Sequence, residues 1–118
     1  MRPDERDAAL LWDMVRHAHE AVEFVAGKTW ENYREDRQLR RAVERSVQIV
    51  GEAARELSDD FRKAHPEVPW RPIIVQRHIL VHDYGEIEDD KIWRVATVHL
   101  PVLIRLITPL IPPPPPTD

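Results

Sequence analysis

Within eight positions, Arg77-His78-Ile79-Leu80-Val81-His82-Asp83-Tyr84 brings together a guanidinium, two imidazoles, a carboxylate and a phenol. The set closes a largely aliphatic stretch that begins at Ile73. A core helix has no use for so many polar groups, and a solvent-facing helix would not carry so many aliphatics. A chemical site at a buried or dimer-covered helix end needs both. The chain has no cysteine, so thiolate nucleophiles, thiolate metal cages and disulfides are excluded. Chemistry that suits arginine, histidine and tyrosine without cysteine or a phosphate-binding glycine loop is attack on a phosphodiester. A histidine of near-neutral pKa can take the proton of a ribose 2′-hydroxyl or return one to the leaving oxygen. An arginine can stabilise the charge that builds on the phosphoryl oxygens.

Two other readings of the same residues stay open at this level. In one, the set is a buried polar network, with Arg77 paired to Glu86 or Glu88 and His82 capping helix carbonyls. In the other, His78 and His82, which stand four apart, bind a metal together with Asp83 or an acid from a neighbouring helix. That ligand set is short by one or two members. Helical geometry adds a constraint of its own. At about 100° per residue, Arg77, Val81 and Tyr84 lie near one face, while His82 sits about 140° round from Arg77. A single regular helix therefore does not aim both groups at one point. Either the helix loosens near Asp83–Gly85, or a second copy of the chain, related by a two-fold axis, supplies the partner group; the geometry favours the second, with the site at a homodimer interface.

The elements that must position this site are helical. Leu10, Leu11, Met14, Val15, Ala18, Val22 and Val25 recur at three- and four-residue steps after the N-cap candidate Asp4, with Gly27 as a stop. His17 and His19, two apart, read as surface residues. Thr29 to Asp36, with Trp30 and Tyr33 among charges, reads as a connection or a ragged helix start. Leu39, Val43, Val47, Val50, Ala54 and Leu57 define a long second helix. Its charged residues, among them Arg37, Arg40, Arg41, Glu44 and Arg45, are expected to form a solvated face. The small residues of Gly51-Glu52-Ala53-Ala54 suggest close approach of another helix.

Ser58 caps a short helix that ends by Pro66, and Trp70 is a candidate core anchor. A third long helix runs from about Arg71 into the motif. The acids Glu86, Glu88, Asp89 and Asp90 mark the start of a fourth, with a stripe of Ile92, Val95, Val98 or His99, Val102, Leu103, Leu106 and Leu110. Pro101 should distort that helix without ending it, because the pattern resumes beyond it. Nothing alternates with period two, so the expected fold is all-α: an antiparallel bundle of four to five helices. One domain over 1–110 followed by a disordered proline-rich tail over 111–118 is the expected organisation.

The ordered motifs go further than the residue types do. Arg77, His82 and Tyr84 match the Arg-x4-His-x-Tyr signature of HEPN-domain proteins, and the chain resembles HepT-like ribonuclease toxins in particular. Val50-Gly51-Glu52-Ala53-Ala54, Pro66-Glu67-Val68-Pro69-Trp70 and Ile87-Glu88-Asp89-Asp90-Lys91-Ile92-Trp93 occur in the order and spacing of that family. The resemblance covers roughly residues 5–108. It implies a homodimer whose two motifs face one cleft and cut RNA without a metal or other cofactor, with Arg77 and His82 as the catalytic pair. It also implies an MntA-like minimal nucleotidyltransferase antitoxin, of a type VII-like system, that adenylylates Tyr84. His78 stands where the family often has asparagine, which makes it, with Asp83, an accessory candidate. The alternative is a non-enzymatic dimeric module that binds a nucleotidyltransferase.

Composition sets the remaining bounds. Net charge is −4, with 21 acidic residues against 17 Lys and Arg, which argues against a general electrostatic grip on nucleic acid. A locally basic cleft is still allowed, and most of the bases are arginine, the better phosphate fork. No apolar run approaches the ~20 residues that cross a bilayer, and the N-terminus lacks a signal peptide's apolar region. A cytoplasmic protein without membrane contact is the expectation.

Overall fold

The computed structural model describes residues 3–81 and 89–113, with residues 76–81 described by their backbone alone. All regular structure among these residues is helical. Helix α1 (Glu5–Val25) is capped by Asp4, whose carboxylate accepts the Asp7 amide at 2.7 Å. It stops at Gly27, which adopts a φ of +72° that only glycine takes without strain. Helix α2 (Trp30–Glu35) follows, then α3 (Arg37–Glu56), α4 (Asp59–Ala64) and α5 (Trp70–Val81). The chain resumes with α6 (Asp89–Arg94), passes through a π-helical turn at Val95–His99 into α7 (Leu100–Ile107), and ends in a short 3-10 turn at Thr108–Leu110.

The long helices pack in a definite order. Helix α1 lies along α3, α3 also carries α5, and α7 packs on the other flank of α1. The antiparallel sense of α1 and α3 is tied down at their shared end. Arg6 donates to the Glu56 carbonyl, and the buried Asp7 carboxylate accepts both the Ser58 amide (2.9 Å) and the Ser58 hydroxyl (2.6 Å). Ser58 in turn caps α4 through Phe61. Asp7 is only 1% exposed, so its charge is compensated by these donors rather than by water. Asp7→Ala should therefore cost about 2–3 kcal/mol, because two charge-assisted bonds are lost and the partly buried Ser58 donors are left without their acceptor. Urea denaturation followed by circular dichroism checks this; a loss below about 0.5 kcal/mol would mean that the tether carries no stability.

The core is made by Leu11, Met14, Ala18 and Ala21 of α1, Val43, Val47, Val50 and Ala54 of α3, and Ile92, Ala96, Leu100, Leu103 and Ile107 of the last helical segment. Gly51, Ala53 and Ala54 are buried, as their size led one to expect. Trp70 is an anchor: it is buried, and its indole N–H donates to the His65 carbonyl at 2.9 Å. Leu110 and Ile111 still pack against the core, and residues 114–118 of the proline-rich tail lie outside the described residues.

Three expectations need correction. Thr29–Asp36, expected as a connection or a ragged helix start, holds a separate, well-capped short helix. Thr29 and Asn32 form a reciprocal capping box (2.9 and 3.1 Å) for α2, whose Tyr33 is wholly buried. The stripe of the last helix is rotated. Val98 and Val102 are exposed by 51% and 42%, while Ala96, Leu100 and Ile107 take the inner positions. Pro101 has no N–H, and its ring would crowd the carbonyl one turn earlier. The chain adapts with a π turn, in which the Leu100 amide reaches the Val95 carbonyl. Finally, Asp89–Leu110 is a 22-residue helical stretch with a window of mean hydropathy 1.2, long and apolar enough to cross a membrane by those measures. Its inner side packs on α1, and a third of that window is buried within the bundle.

Candidate active site

The motif begins on α5 and runs off its end. Arg77 and His78 stand in the last two turns of the helical backbone, which is described to Val81. His82, Asp83 and Tyr84 lie outside the described residues, as do Glu86 and Glu88. The structure therefore brings Arg77 and His78 onto one helix end, and the seven-residue span 82–88 joins that end to α6.

The two helices that flank this span, α5 and α6, both contact α3. At the far end, Asp89, the first residue of α6, faces Arg40 of α3, with Nε and Oδ2 3.7 Å apart. Arg40 also donates to the Arg34 carbonyl at the end of α2. One guanidinium thus links α2, α3 and α6 next to the segment that carries His82.

Under that linkage lies a buried polar cluster that the sequence placed elsewhere. Glu44, expected on a solvated face, is only 7% exposed. Both of its carboxylate oxygens accept from Arg41 Nη1, at 2.8 and 2.9 Å. Burial raises its pKa above the ordinary carboxylate range, and the Arg41 bond only partly offsets this. The Tyr33 hydroxyl is buried without a hydrogen-bond partner, and its pKa is raised by burial and then by Glu44 and Asp89. The Tyr33 ring packs between Trp30 and Trp93, with centroids 6.1 and 5.2 Å away. A sequence signal for Glu44 did exist: it stands three before Val47 and seven before Gly51, on the shoulder of the apolar stripe.

The sign of the Glu44 effect follows from its direction. The folded protein holds this proton to higher pH than the unfolded chain does, so ionisation weakens the fold as pH rises above about 4.5. Glu44→Gln keeps an acceptor for Arg41 and removes the buried charge. It should melt at a higher temperature than the parent at pH 7, with the difference shrinking toward pH 4. Equal melting curves at pH 7 would contradict this.

On its outer side the bundle does not close. Pro69, Pro72, Ile73 and Val75 border one side of an apolar groove of about 570 Å³, and Val95, Leu100, Val102, Leu103 and Leu106 border the other. Val75 is 48% exposed there. The groove thus follows the seam between α5, which carries the motif, and the last helical segment. Among the described residues no three His, Asp or Glu side chains converge as a metal site.

An all-helical bundle with an arginine- and histidine-bearing helix end fits the class of HEPN-type proteins. Comparison with known proteins narrows this. Residues 14–110 match the family profile described as "Ribonuclease HepT-like". The chain is 32% identical over 93 residues to "Putative RNase MJ1380" of Methanocaldococcus jannaschii, covering 79% of this chain and 85% of that protein. It is 30% identical over 95 residues to "Probable ribonuclease HepT" of Thermococcus cleftensis, covering 77% and 86%. No solved structure matches. The chain belongs to the HepT-like family of ribonucleases.

Proposed function

We propose that the protein is the toxin of a type VII-like toxin–antitoxin pair and cuts RNA without a metal ion at a cleft between two copies of the chain. The observation that carries this reading is the position of the motif. Arg77 lies near the end of α5, and the span that holds His82 is anchored beyond by the Arg40–Asp89 pair, inside a chain of the HepT-like family. His82 is the general acid and base, and Arg77 stabilises charge on the phosphoryl oxygens. His78 and Asp83 are accessory groups that hydrogen-bond substrate or orient His82.

The two-fold arrangement is supported by the apolar groove at the α5–α7 seam. Its exposed Val75 and Val102, with Val98 nearby, make a patch that water covers poorly and a second protomer could cover well. The test of the reaction is direct. Purified protein and its His82→Ala variant are incubated with total RNA in EDTA and resolved on a denaturing gel. Cleavage by the parent alone is the expected result; equal background from both overturns the ribonuclease assignment and leaves a binding module.

Regulation acts at Tyr84 in the same reading. A minimal nucleotidyltransferase partner transfers AMP to the phenol, and the added anion beside the cleft repels RNA phosphates. Co-expression with that partner should raise the mass of the protein by one or more AMP units and abolish cleavage. A Tyr84→Phe variant that gains the same mass would place the acceptor elsewhere.

A further inference from the structure

A second feature of α5 lies on its opposite flank, toward α4. Arg62, Lys63 and Arg71 line a surface pocket of about 310 Å³ together with Trp70, Ile74 and Val75. Overall the chain is acidic, yet three cations meet here. Arg62 is held in place by Asp59 through its Nη2, and its Nε is buried and makes no hydrogen bond. Lys63 and Arg71 are exposed and form no ion pair among the described residues. The indole N–H of Trp70 is already taken by the His65 carbonyl, so Trp70 serves as an apolar wall. Ile74 is partly buried and Val75 exposed, which adds an aliphatic surface beside the charges.

The pocket sits on the helix that carries the motif. Arg71 precedes Arg77 by six residues, about 9 Å along the helix axis. Val75 lines both this pocket and the apolar groove on the other side of α5. Six residues also set position 71 about 120° round the helix from position 77, so an RNA strand that wraps α5, rather than running along one face, meets Arg71 and Lys63 on its way to the motif.

We infer that the Arg62–Lys63–Arg71 pocket is a phosphate-binding subsite that grips the RNA backbone to one side of the cleaved bond. The inference rests on the ribonuclease reading above. Lys63 and Arg71 supply the charge that meets phosphate oxygens, since neither pairs with a carboxylate among the described residues. Arg62, pinned by Asp59, forms the wall. Ile74 and Val75 offer apolar contact to ribose. Backbone contacts of this kind position a strand and carry no sequence information, so the pocket adds affinity without restricting which RNA is cut. A single-stranded target is favoured, because a charged groove that tracks one backbone suits it.

The experiment separates binding from cleavage. A labelled single-stranded RNA oligonucleotide is titrated with the His82→Ala protein, with and without Lys63→Gln and Arg71→Gln, across a salt series read by fluorescence anisotropy. Each lost phosphate contact should lower the slope of log affinity against log salt by about 0.7, so the double substitution should remove about 1.4. Affinity at low salt should fall at least about tenfold, on the order of 1.4 kcal/mol. With His82 intact, the same substitutions should raise KM for RNA more than they lower kcat. Arg71→Lys should keep most of the slope. Circular dichroism confirms that the helices survive, and the single Arg71→Gln variant, with an expected slope change of about 0.7, carries the test if the double variant does not fold. An unchanged slope and KM, with RNA still cut by the parent, would overturn the subsite and leave the ribonuclease reading intact. Unchanged RNA binding with lost inhibition by the nucleotidyltransferase partner would reassign the pocket to protein contact. Failure of the parent to cut RNA, with His82→Ala indistinguishable from it, would remove both readings together.

Discussion

RNA cleavage by the His82→Ala variant should be slower than by the parent by about 10²–10⁴-fold, the range a positioned general acid or base contributes. The loss should appear in kcat, because an imidazole that moves a proton in the transition state contributes little to ground-state binding. Arg77→Ala should lower kcat by a similar order, since the guanidinium meets charge that develops only as the phosphoryl oxygens become more negative. Arg77→Lys should recover only part of this, as an ammonium cannot offer two parallel donors to two oxygens. The pH profile separates the roles. The parent should show a limb near neutrality that His82→Ala lacks and Arg77→Lys retains. Wild-type rates in EDTA from either alanine variant would remove the pair from the mechanism. All of these variants should keep the helical spectrum of the parent. Position 77 belongs to the last turns of a helix whose earlier residue Ile73 is buried and which contacts α3.

Mixing two inactive proteins should restore activity. On a regular helix Arg77 and His82 point about 140° apart, so a site formed by Arg77 of one protomer and His82 of its partner satisfies the geometry better than a site within one chain. Co-expressed Arg77→Ala and His82→Ala chains would form mixed dimers in about half of all pairings if association is random, and each mixed dimer would hold one intact site of two. The expected yield is about a quarter of the parent's activity per dimer, against a background near zero for either variant alone. No recovery in mixed dimers verified by mass spectrometry would place each complete site within a single protomer. The apolar seam supplies a control. Val102→Glu puts a charge into the groove where Val102 is half exposed, so it should leave the monomer folded and shift sedimentation toward it. Cleavage should fall with the dimer population if the site is shared.

Much of this protein is readable in the chain itself. The helical class, the Asp4 and Ser58 caps, the Gly27 stop and the main core residues of α1 and α3 follow from three- and four-residue spacing and from local hydrogen bonds. These signals are local, so they survive without knowledge of neighbours. The candidate chemistry of Arg77, His82 and Tyr84 is likewise read from residue types and spacing, which carry it before any folding.

What the sequence could not determine is how the shoulders of each helix are used. Glu44 lies beside the apolar stripe of α3, and only the arrival of α2 and α6 turns that shoulder inward. Tyr33 follows a charged residue pattern, and only Trp30 and Trp93 closing over it make it core. Val98 fits the stripe of the last helix on paper, but the π turn before Pro101 shifts the register and leaves it outside. The motif's own setting depends on the same kind of fact. Periodicity announces that a face is buried, but not by which neighbour or how completely, since burial is set by contacts between residues far apart in the chain. The sequence by itself thus determined an all-helical fold and a candidate phosphodiester chemistry. The tertiary structure decided that the helices on either side of the motif span both contact α3, that an apolar seam opens on one side of α5, and that a basic pocket lies on the other.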